Sequence, residues 1–145
     1  MKKLLVGILM SLFMATPVIA AESYAVSIKS AGPFEVMSLA WTTDASGNFV
    51  ARTTPAINGY IIAFGTNPGS AAPTADYDPV LQNSDGVDVS GGALTDRHTS
   101  ASELVMPLVN SEVVKMPVLG TLTFDITNAG NSKNGVLDVY FIRYR

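Results

Sequence analysis

The side chains best equipped for chemistry fall in two polar stretches between residues 76 and 103. The first holds Asp76, Asp78, Asp85 and Asp88, oxygen donors of the kind that gather a calcium ion where their loops converge. Their spacing departs from a calcium-binding loop, because Asp85-Gly86-Val87-Asp88 has neither alternating ligands nor a closing bidentate glutamate. Aspartates set among Gly, Pro and Asn form and solvate turns, so no metal is expected. The second stretch places His98 beside Asp96, Arg97 and Thr99, with Ser100, Ser102 and Glu103 behind it. A nucleophile and a base are thus both present. A catalytic serine also needs a placed base, an orienting carboxylate and oxyanion donors, and no Gly-x-Ser-x-Gly elbow surrounds any serine here. The stretch reads as a polar loop held by local hydrogen bonds, and no residue is assigned a catalytic role.

Composition removes further chemistries. The chain has no cysteine and one histidine, which excludes thiol catalysis, cysteine-zinc and iron–sulfur sites. Gly86, Gly91 and Gly92 follow no phosphate-cradling pattern and open no expected helix. Glycoside hydrolysis needs two opposed carboxylates, and nothing selects one pair among twelve acidic residues. No cofactor is expected. What remains is a weak binding set: Tyr77, expected as an exposed ring beside a loop, with Asp85, Asp88, Asp96, Arg97 and His98. Trp41 lies in an apolar run and is assigned to the core.

The elements that must carry these residues are strands. Residues 1–21 run from Lys2 and Lys3 through an apolar stretch to Pro17 and then Val18-Ile19-Ala20, the order of a secretory signal. Cleavage after Ala20 or Ala21 is expected, leaving one domain over 21–145 without a membrane-inserted segment. Loss of both lysines leaves seven basic against twelve acidic residues, a balance that disfavours nucleic acid. Along the mature chain, short β-branched and aromatic runs recur between turn residues, the pattern of an all-β antiparallel sandwich or jelly roll, with about seven to nine strands from the turn spacing. Residues 24–29 alternate. Residues 35–43 and 48–54 flank an Asp44–Gly47 turn and are expected to pair. Residues 59–65 should lie in the centre of the core, residues 66–76 in a surface loop. Residues 77–82 and 87–90 are expected to pair across a turn at 83–86. Residues 91–102 read as a loop, and residues 104–109, with Pro107, suit a sheet edge or a bulge. Residues 118–127 and 135–144 are expected to form a long C-terminal hairpin.

The run GYIIAFGTNPGSAAPTADYDPVLQNSDGVDVSGG, then ALTDRHTSASE and GTLTFDITNAGNSKNGVLDVYF, resembles a family of small β-rich proteins encoded among the structural genes of tailed bacteriophages and prophages. The similarity covers roughly residues 59–142 and turns on TNPGSAAPTADYD, DGVDVSGGAL, Arg97 and the closing hairpin. It implies a virion-associated or assembly role and no catalytic residue.

The reading is therefore an exported structural or surface-display protein, periplasmic or extracellular, that self-associates or docks on protein partners. The alternative is a secreted module that binds glycan, or a ligand with calcium assistance, through the loops 66–76 and 91–102. Intact-mass analysis of the exported product should find a chain beginning at Ala21 or Glu22. A product that keeps residues 1–20 and stays in the cytosol overturns the export reading.

Overall fold

The computed structural model describes residues 21–144, and the expected export segment lies outside the described residues. The chain is all-β. Its strands are β1 (Ser23–Ala31), β2 (Phe34–Thr42), β3 (Arg52–Thr53), β4 (Ile57–Pro68), β5 (Asp78–Gln82), β6 (Glu103–Val105), β7 (Leu108–Val109), β8 (Glu112–Val113), β9 (Met116–Gly120), β10 (Thr123–Thr127) and β11 (Asn134–Arg143). A six-stranded antiparallel sheet runs β1-β2-β11-β4-β6, with β9 also paired to β4. A three-stranded sheet runs β3-β10-β5, and β7 and β8 form a separate pair.

Period-two alternation decides which side chains meet. β2 turns Met37, Leu39 and Trp41 to one side, and β11 does the same with Leu137, Val139 and Phe141. With Ile57, Ile61 and Phe64 of β4, they join Leu81, Phe124 and Ile126 of the smaller sheet in one buried cluster. Each such side chain contributes roughly 1.5–3 kcal/mol on full burial. Tyr24, Phe49 and Phe124 extend the cluster toward the start of β1, with ring centroids 5.6–6.3 Å apart.

Several local expectations hold. Residues 24–29 lie in β1, with Tyr24 and Val26 packed against the core. Trp41 is buried, residues 91–102 contain no helix, and the 104–109 segment begins in the edge strand β6 and ends in β7. The 83–86 turn forms, with Gly86 N donating to Asn83 O at 3.0 Å. Its return arm pairs only through a bridge between Gln82 and Asp88.

The long-range pairings differ. Asp44 accepts from the backbone of Ser46 and Asn48, both at 2.8 Å, yet the chain then crosses to the other sheet. β2 pairs with β1 and β11, while Arg52 and Thr53 pair with β10. The expected C-terminal hairpin is likewise absent. β10 belongs to the smaller sheet, and β11 lies between β2 and β4, so both its edges are already filled. The 118–127 run splits at Gly120, where φ is 111°, a conformation only glycine adopts without strain. Leu122, Phe124 and Ile126 still share the buried side. Residues 66–68 belong to β4 rather than to the loop that follows.

One ion pair closes the end of the larger sheet. Glu35, buried on the core side of β2, accepts from Arg143 Nε at 2.8 Å and Nη2 at 2.6 Å. This fork is the strong bidentate form of the interaction. The Arg143 hydrogen bond holds the Glu35 carboxyl below its ordinary value of 4.5. A depressed folded value means the contribution is complete above about 4.5 and is lost as pH falls through the folded value. Urea midpoints should therefore drop between pH 7 and pH 3. In Arg143→Met the pH 7 midpoint should be lower and the drop smaller; an unchanged pH dependence contradicts this role.

Candidate interaction surface

The surface is built by an interruption in β4. Its pairing with β11 goes from Ala63↔Tyr140 to Ile61↔Phe141, leaving Ile62 as the extra residue of a bulge. On its other edge β4 pairs with β6 over residues 64–66 and with β9 over residues 57–61. The bulge falls between them. There the chain leaves the sheet as the β7–β8 hairpin, whose Asn110 and Ser111 have φ of 51° and 68°, the paired positive values of a type I′ turn. Val114 N donates to Pro107 O at 3.0 Å, and Leu108 N to Ser90 O at 3.0 Å, which fixes the base of the hairpin. Gly91 permits that approach, because a Cβ at this position would lie 1.8 Å from Leu108 O.

The bulge, the hairpin and the end of the sheet together expose apolar side chains. Phe34 and Ile142 are cross-strand partners. With Ile62, Met106, Val113 and Val114 they line a shallow depression of about 490 Å³. Met106 and Val113 also line the adjoining hollow with Leu104 and Leu108, so the two form one surface. Phe34 is 54% exposed, Val113 62% and Leu104 65%. Tyr60, paired with Ile142 in register, extends the surface to Tyr144, with ring centroids 4.9 Å apart. Lys115 is the one charged residue lining the depression, and Arg97 the one charged residue lining the hollow. A contiguous exposed patch of this kind marks an interaction site more often than a bare surface.

Of the residues singled out from sequence, Arg97 alone lines this surface, and the others lie elsewhere, most of them holding loops. Tyr77 is 1% exposed and packs against Trp41 at 5.8 Å, which corrects the expectation of an exposed ring; burial pushes its phenol up. Its carbonyl accepts from Arg97 N at 2.9 Å, and Asp96 N donates to Asp78 Oδ1 at 2.8 Å. Thr99 Oγ1 reaches Pro73 O. The loops 69–76 and 91–102 are thus drawn together at one end of β5. Asp85 and Asp88 lie past its other end, with Asp88 accepting from Ser90 N at 2.9 Å and Gly92 N at 2.8 Å. The four aspartates therefore do not converge. Among the described residues no group of three or more His, Asp or Glu could hold a metal ion, and no helix is long and apolar enough to cross a membrane.

His98 has a structural geometry. Its Nδ1 accepts from Ser100 N at 3.1 Å and Ala101 N at 2.9 Å, and its main-chain N donates to Glu103 Oε2 at 2.7 Å. Glu103 thus takes the backbone N–H, and the ring nitrogen takes backbone donors. Arg97 adds bonds from Nε and Nη2 to Thr95 O, at 2.9 and 2.7 Å.

Comparison of the chain with protein-family models, with curated proteins and with solved structures returned no match.

Sequence reasoning marked the 104–109 segment but missed its partners. Phe34 carried a usable signal, since it follows Gly32-Pro33, a two-residue hairpin turn with glycine first. Ile62 carried none, because a bulge is fixed by register across distant strands. His98→Ala, which removes an acceptor for two backbone donors, should cost on the order of 1–2 kcal/mol by chemical denaturation. A variant as stable as the parent removes the structural role.

Proposed function

We propose that this protein is an exported, non-catalytic structural component, an antiparallel β-sandwich of a cell surface or virus particle that assembles with further copies of itself. The observation that carries the reading is the apolar surface of Phe34, Ile62, Met106, Val113 and Ile142 at the interrupted edge of the larger sheet. Apolar groups left in water at this density favour burial against a partner. A hydrophobic centre edged by Lys115 and Arg97 has the anatomy of a protein interface, apolar within and polar at the rim. The resemblance to small tailed-phage structural proteins supports the same role, and the secretory order of residues 1–21 supports delivery to a surface. The fixed hydrogen bonding of residues 91–103 supports a rigid frame in place of a turnover site.

Size-exclusion chromatography with light scattering on the exported chain tests it. The expected mass is a multiple of the monomer at tens of micromolar, an order-of-magnitude choice for assemblies of moderate affinity. Val113→Lys, at an exposed position, should weaken assembly at least tenfold, roughly 1.4 kcal/mol. A wild-type chain that is monomeric at every concentration and binds no particle or envelope overturns the reading.

A further inference from the structure

We infer that β1 pairs with β1 of a second copy, antiparallel about Ser27, so that two six-stranded sheets become one. The inference rests on the self-association proposed above and assigns a second contact surface to it. Among the described residues β1 is the terminal strand of the sheet, with β2 as its one neighbour. It offers a nine-residue edge, Ser23–Ala31, paired to β2 through nine consecutive positions without a register shift.

Proteins blunt such edges with short strands, prolines, bulges or covering segments. The opposite edge of this sheet is blunted in just those ways. It is divided between β6, of three residues, and β9, of five with Pro117 inside it, and a bulge and a hairpin lie between them. β1 has no proline and no bulge, and Lys29 is the one protective charge along it. Its start is anchored by Glu22, which accepts from Val50 N at 2.7 Å and pairs with Arg52. Beyond that anchor Ile28 is left 42% exposed.

The occupant follows from the sequence of the strand itself. With the two-fold axis at Ser27, all nine residues of β1 face all nine of the second copy, and any other centre leaves some unpaired. That register sets Val26 opposite Ile28 on the side facing the core, Tyr24 opposite Ser30, and Ala25 opposite Lys29. Opposed aliphatic residues favour strand pairing and directly opposed like charges disfavour it. Here the partly buried Val26 would cover the exposed Ile28. Lys29, the single charge on the strand, meets an alanine, with its counterpart about 14 Å along the sheet at 3.4 Å per residue. A two-fold contact is also the commonest closed form of association.

The chain has no cysteine, so one introduced thiol reports the register without ambiguity. Antiparallel partners have Cα atoms about 4.5–5.5 Å apart, within disulfide reach. Ser27→Cys should become mostly covalent dimer under mild oxidation. Ser23→Cys, whose counterpart would lie about 27 Å away at 3.4 Å per residue, should stay monomeric on a non-reducing gel. Ser27 is exposed, so charged variants spare the fold, which circular dichroism checks. Ser27→Lys and Ser27→Glu should each weaken dimerisation at least tenfold, and an equal mixture should restore it as a mixed dimer. Crosslinking of Ser27→Cys no faster than Ser23→Cys overturns the pairing. If wild type still assembles and Val113→Lys still disperses it, only the β1 contact is lost. A monomeric wild type removes both.

Discussion

The insertion of β11 between β2 and β4 is the constraint on which the larger sheet depends. Both edges of this strand are hydrogen-bonded along nearly its whole length. Its buried side supplies Leu137, Val139 and Phe141 to the cluster shared with the smaller sheet. Its other side brings Asp138 between Ser38 and Asn67, which donate to it at 2.5 and 2.9 Å. The same register sets Ile142 beside Phe34 and lets Arg143 reach Glu35. Core, ion pair and apolar surface are consequences of one placement. The bulge at Ile62 belongs to it too, since it is defined by the slip of β4 against β11.

What the sequence made legible was local. The alternating runs at 24–29, 122–126 and 135–144 identify strands and their buried sides, because a strand has one period and apolar residues follow it. Asn83–Gly86 and Asp44–Gly47 were readable as turns from side-chain chemistry alone. Partner choice was not readable. Residues 128–134 contain Asn128, Gly130 and Ser132 at positive φ, with values of 54–84°. Such backbone serves a loop that crosses between sheets as well as one that closes a hairpin. The preference for pairing sequence neighbours therefore misplaced both β3 and β11. Edge residues such as Leu104 were easier, because Pro107 limits where that segment can sit.

The candidate chemistry resolves in the same physical terms. Asp44 and Asp88 spend their carboxylate oxygens on donors of their own turns, and Asp78 spends its pair on Asp96 N and the Asn128 amide of two other loops. His98 and Glu103 do likewise for residues 98–101. Polar residues concentrated in loops look like a site when only the sequence is read. In three dimensions they replace the ladder bonds that irregular backbone lacks. The hydrophobic surface had the weaker sequence signal, since its members come from five separated segments.

A strand that follows both of its neighbours in chain order, yet lies between them in space, has a kinetic consequence. The sheet cannot close around β2 and β4 until the polypeptide has been made through residue 143, and pairings across about a hundred residues form slowly because loop closure must come first. Until then one edge of β2 and one edge of β4 lack the strand that joins them.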